Sequence, residues 1–137
     1  MWWIYALLSA FFAALTAIFA KLGIKGVDTD LATAIRTVVI LIIAWTIAFI
    51  RGGASTISTL SKQNIVFLCL SGIATGLSWI FYFKALQIGK VSQVAPVDKL
   101  SVALAILLSV IFLGEALTVK NVLGALLIIG GTIVLIL

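Results

Sequence analysis

Long apolar runs alternate with short polar breaks along this chain. The runs occupy about residues 3–22, 31–50, 65–88, 91–113 and 121–137. Each is close to the ~20 apolar residues that a helix needs to cross a bilayer. Period-2 alternation, the mark of a membrane barrel, is absent. Backbone groups in lipid must be satisfied within their own segment, so the pattern predicts five transmembrane helices and an all-α integral membrane fold. The connections are too short for an aqueous domain, and residues 1–137 read as one transmembrane domain.

Composition sharpens this. Of the 137 residues, 64% are hydrophobic and 9% are charged, against about 25% charged in an ordinary soluble domain. A water-soluble globule is excluded. There is no His, and Cys69 is the single cysteine, so neither a disulfide nor a zinc or haem ligand set is available within the chain. No cofactor and no metal are expected. The net charge of +5 is spread along the sequence and forms no nucleic-acid patch. No positive region precedes Trp2 and Trp3, so the first span is expected to stay in the mature protein.

Five spans put the termini on opposite sides. The side holding the N-terminus, the 51–64 connection and the 114–120 turn carries Arg51, Lys62 and Lys120. The other side carries Lys21, Lys25 and Lys90, with Lys84 at its edge. Lysine and arginine asymmetry sets orientation, and here it is nearly balanced. Either a single orientation is fixed by finer detail, or the chain inserts both ways.

Charges inside spans are expensive and mark functional sites by default. At ~1.5 Å per residue, Arg36 lies roughly 8 Å inside the second span, and Asp98 and Lys99 roughly 10–12 Å inside the fourth. Lys84 enters from the same side. Arg36 and Lys84 have a competing reading, in which their long stems carry the charge back to the interface. Asp98 and Lys99 point ~100° apart on a helix. Asp98 is therefore expected to pair with Arg36 or Lys84, which leaves Lys99 for a ligand. Pro96 either kinks the fourth helix and opens a polar niche or stands at its first turn.

Ser71, Thr75, Ser78 and Tyr82 share one helical face, flanked by Trp79. They read either as packing hydroxyls bonded to their own helix or as the wall of a moderately apolar cavity. Gly72 and Gly76, and Gly124 and Gly131, are small-residue pairs of the kind that let helices approach.

The run Gly76-Leu-Ser-Trp-Ile-Phe-Tyr-Phe-Lys-Ala-Leu-Gln-Ile-Gly89 resembles the third-helix signature of EamA domains in the drug/metabolite transporter superfamily. The stretches Val91-Ser-Gln-Val-Ala-Pro-Val97, Leu113-Gly-Glu-Ala-Leu-Thr118 and Gly124-Ala-Leu-Leu-Ile-Ile-Gly-Gly131 are similar to it too, as is Arg36 early in the second span. The resemblance covers the whole chain. It implies one five-helix half of an inverted-repeat transporter fold, of the bacterial and archaeal single-half type. An antiparallel homodimer would rebuild the ten-helix unit.

The same resemblance implies alternating access and a central cavity in a prokaryotic cytoplasmic (inner) membrane. Carried over by position, that cavity would take Arg36, Trp79, Tyr82 and the Pro96–Lys99 region, so the expected substrate contacts are Arg36, Trp79, Tyr82, Asp98 and Lys99, with Ser78 added as a local polar contact from its place on the hydroxyl face. Pro96 would be the helix kink, and Gly124 and Gly131 would lie at the dimer interface. Small multidrug resistance proteins in the superfamily use a carboxylate in the first helix, and residues 3–22 contain none. Export of aromatic cations is therefore disfavoured. A small polar or anionic metabolite such as an amino acid suits the cationic excess. The alternative is a non-transporting membrane subunit that pairs with an oppositely oriented partner chain. An enzyme is not expected, because without His no nucleophile, base and orienting group can be assembled except around Asp98 and Lys99.

Overall fold

A computed structural model describes residues 1–137. The chain is helical throughout, in the order α1 (Trp2–Gly23), α2 (Thr29–Ile50), a 3-10 turn (Gly53–Thr59), α3 (Lys62–Ile88), α4 (Val91–Asp98), α5 (Leu100–Leu113) and α6 (Val119–Ile136). With α4 and α5 taken together as one span, five helices are long and apolar enough to cross a membrane.

Three helices begin outside their apolar runs because polar caps start them. Asp28 accepts bonds from the backbone N–H groups of Asp30 (3.0 Å) and Leu31 (2.9 Å). Ser61 Oγ accepts from Asn64 N at 3.1 Å, and Thr118 Oγ1 accepts from Asn121 N at 3.2 Å. Such caps contribute about 1 kcal/mol each. At the far end of α5, Gly114 adopts φ +68°, the left-handed conformation that closes a helix without a Cβ penalty.

Contacts divide the chain into two compact units, residues 20–87 and residues 1–19 with 88–137. In the first unit the buried residues gather at one end, where α1 turns into α2 and α3 finishes. Ala20, Ile24, Thr29, Thr33, Phe83 and Leu86 are all buried there. Two side chains lace this end together. Lys21 Nζ donates to the Leu86 carbonyl, and Gln87 Nε2 donates to Val27 O at 3.1 Å. The carbonyls at the end of a helix have no partners within it, so Lys21 satisfies a group that α3 leaves open.

In the second unit α6 packs against both α4 and α5. The fourth span is not one continuous helix. It is interrupted at Lys99, three residues after Pro96, which lies well inside α4 rather than in its first turn. Pro96 has no N–H to return to Ser92, and the chain re-forms a turn with Lys99 N donating to Pro96 O at 3.1 Å. Pro96 thus stands in the interior of α4 and not in its first turn.

Candidate functional site

Arg36 stands two turns into α2, and Trp79 and Phe83 are one turn apart on α3. The guanidinium carbon lies 4.4 Å from the Phe83 ring centroid and 5.2 Å from that of Trp79. Both are within the ~6 Å range of cation–π attraction, which contributes about 0.5–2 kcal/mol. Nη1 of Arg36 is buried and has no hydrogen-bond partner. Trp79 and Phe83 lie roughly 7–13 Å from the end of α3 at ~1.5 Å per residue. The guanidinium thus lies beside these two rings, closer to Phe83, the one nearer the end of α3.

The surrounding charges explain why it is alone. Asp28 is occupied as the α2 cap. Asp30 faces Lys84 Nζ at 3.9 Å, with both side chains more than half exposed. Lys84 therefore reaches toward the first turn of α2, as an interfacial lysine does. Neither acid of the unit serves Arg36. The neighbouring hydroxyls look inward too, with Thr33 Oγ1 donating to Thr29 O and Thr37 Oγ1 to Thr33 O, each at 2.8 Å.

Asp98 and Lys99 sit in the other unit, at the break between α4 and α5. Lys99 Nζ lies 3.3 Å from Asp98 Oδ2. Lys99 is therefore not left free, as the sequence suggested, but faces Asp98. Neighbours on a helix point ~100° apart, and Lys99 itself keeps α-helical dihedrals (φ −72°, ψ −9°), but four methylenes let its ammonium swing back to Asp98. The pair is partly open, with the Lys99 side chain 58% exposed and that of Asp98 34%.

Thr132 of α6, 4% exposed, reaches this break. Its hydroxyl lies 2.8 Å from Ile128 O and 3.2 Å from Pro96 O, so its one proton serves either carbonyl. The hydroxyl stripe on α3 divides. Thr75 Oγ1 donates to Ser71 O at 2.9 Å within its own helix. Ser78 is exposed, and Tyr82 is half-buried with its ring 5.9 Å from that of Phe83. Nothing in the chain lies within 4 Å of where a side chain would project from Gly72, Gly76, Gly124 or Gly131. No group of three or more His, Cys, Asp or Glu side chains gathers to hold a metal.

The sequence reading missed Phe83, Thr132 and the Lys21 and Gln87 bonds. Phe83 was findable, since it stands four residues after Trp79 and so shares its face. The rest depend on tertiary placement.

The EamA-like transporter family model matches residues 1–137. An uncharacterized transporter in the cobO 3′ region of a Sinorhizobium species is 47% identical over 134 residues, covering 98% of this chain and 95% of that one. An uncharacterized protein of Methanocaldococcus jannaschii is 31% identical over 74 residues, 54% of each chain. No solved structure matches at significant similarity. A match over the full chain, on five membrane-spanning helices, makes the protein an integral membrane member of the EamA-like transporter family.

Proposed function

We propose that the protein is a secondary transporter for a small polar or anionic metabolite, such as an amino acid, and that it works by alternating access as an antiparallel homodimer in a prokaryotic inner membrane. The observation that carries this is Arg36. A guanidinium on a membrane-spanning helix, with a buried N–H and no acid of its own unit to serve it, is costly to keep. It suits a substrate that brings the missing anion, a carboxylate first of all, because the planar donor fork matches a carboxylate edge. Trp79 and Phe83 hold the fork in place, and Tyr82 and Ser78 extend the same face of α3. The Asp98–Lys99 pair is a second polar point, already neutralised, which a substrate must open before using.

Three features support the homodimer. The cations on the two sides are nearly balanced, the open faces at Gly124 and Gly131 await a helix partner, and a single half needs an inverted second half. A bacterial relative fits the proposed membrane of residence.

Purified protein in proteoliposomes tests the reading with a radiolabelled mixture of the twenty amino acids. Wild-type protein should transport at least one component. Arg36→Gln should lower that flux about a hundredfold, while the oligomer elutes unchanged. Undiminished flux through Arg36→Gln would overturn the role of Arg36. Orientation is read separately, with Cys69→Ala and a single cysteine placed at Ser58. Labelling of about half the molecules from outside intact cells supports the antiparallel dimer. All-or-none labelling would instead favour a subunit of fixed orientation with a different, inverted partner chain.

A further inference from the structure

We propose that the end of the first unit where the α1–α2 turn meets the close of α3 is a gate on the Arg36 seat, held shut by Lys21 and Gln87 and opened in each transport cycle. The inference rests on the reading of Arg36 given above. In α2 the buried residues are Thr29 and Thr33, and in α3 they are Phe83 and Leu86. All four lie at this end, together with Ile24 of the turn. No residue of α2 beyond Thr33, and none of α3 before Phe83, is buried. The two helices are therefore closed at one end of their length only. The Arg36 guanidinium stands at the edge of this plug, 4.4 Å from the Phe83 ring centroid, and Leu86 follows one turn nearer the end of α3. With Phe83 and Leu86 fully buried and Arg36 Nη1 buried beside them, the seat is shut at this end.

The ties across this end are of a kind that water can replace. Lys21, in the last turn of α1, donates to the Leu86 carbonyl, and Gln87 Nε2 donates to Val27 O at 3.1 Å. The Gln87 side chain is exposed. So are those of Lys84 on α3 and Asp30 on α2, which face each other at 3.9 Å. When the end parts, water takes over each bond, so each tie adds only the small net contribution of one hydrogen bond. Phe83 and Leu86 stand three residues apart on one face of α3, so they leave the plug together. Lys21 and Gln87 thus act as a latch. They favour the closed end at rest and are weak enough to release.

The first measurement needs no substrate. Thr33→Cys in a Cys69→Ala background is placed in liposomes and labelled with a water-soluble maleimide. Adding Gln87→Leu or Lys21→Met should each speed labelling about fivefold, the effect of one hydrogen bond. Thr132→Val removes a bond of similar strength from the other unit and should leave the rate as in the parent. Unchanged rates in both latch variants would overturn the gate. Equal acceleration by Thr132→Val would assign the exposure to a general loosening of the fold and would overturn it too.

The second measurement ties opening to transport. Val27→Cys and Gln87→Cys, again with Cys69→Ala, are bridged by a short reducible bis-methanethiosulfonate, and mass spectrometry reads the extent of bridging. Uptake of the labelled amino-acid mixture into proteoliposomes should be lost on bridging and return on reduction. Undiminished uptake through fully bridged protein would show that this end need not open, and would overturn the proposal. Failure of the pair to bridge would overturn the latch itself. If wild-type protein transports no component of the mixture, the amino-acid reading falls, and the labelling rates alone decide the gate.

Discussion

The two charged sites within the spans solve the same problem in opposite ways. At the break in the fourth span, Lys99 and Asp98 neutralise each other at 3.3 Å and remain partly open. On α2, Arg36 has aromatic faces but no anion, and one of its N–H groups is buried without a partner. A self-neutralised pair can be kept for structure alone. A charge without an anion beside it is the better place for a ligand to supply one. The difference points to Arg36, more than Lys99, as the anion seat, although Lys99 looked the freer cation in the sequence.

The largest expected effect lies on the Arg36 side. Phe83 is 1% exposed, and Phe83→Ala should destabilise the protein by about 3 kcal/mol or more through the void it leaves. A drop in the thermal unfolding midpoint of the purified protein measures it. An unchanged midpoint would mean that the ring is not packed as described.

Charge removal should then separate the sites by sign. Arg36→Met keeps an apolar stem against the rings and removes a desolvated charge, so ligand-free stability should hold or rise by about 1 kcal/mol while transport is lost. Lys99→Met should instead lower stability by about 1 kcal/mol, because it strands Asp98, and adding Asp98→Asn should restore most of the loss. A double-mutant cycle on the unfolding midpoint reads the coupling. If both single variants shift stability the same way, the contrast between the sites fails.

Smaller effects refine the surroundings. Thr132→Val should cost about 1 kcal/mol by removing the hydroxyl beside Pro96 O, and Thr132→Ser should cost much less. Gln87→Leu should cost about 0.5–1 kcal/mol through its lost bond to Val27 O, and faster amide exchange at the α1–α2 turn would report it.

How far the sequence reached follows from what kind of information each feature needs. Five spans were legible because membrane length and hydropathy act locally. Their starts were less so: Asp28, Ser61 and Thr118 are polar, and a reading built on apolar runs stops short of them. Arg36 and Trp79 were legible as site candidates, one by its cost in lipid and the other by its place in the family-like stretch. Their contact was not, since helix α3 could have turned another face. The Asp98–Lys99 contact was not foreseen because the ~100° between neighbouring helical positions was weighed without the reach of a four-methylene side chain. Thr132 carried no signal of its own, being one more hydroxyl in an apolar helix.

The central claim is that Arg36 waits, unpaired, for an anion beside Trp79. It is tested most directly by a protein in which Trp2, Trp3 and Trp45 are replaced by Phe, leaving Trp79 as the single tryptophan. Titration with L-aspartate, L-malate and phosphate should produce a saturable change in Trp79 emission for at least one of them, and Arg36→Met should abolish it. No saturable response, or the same response without Arg36, would contradict the account.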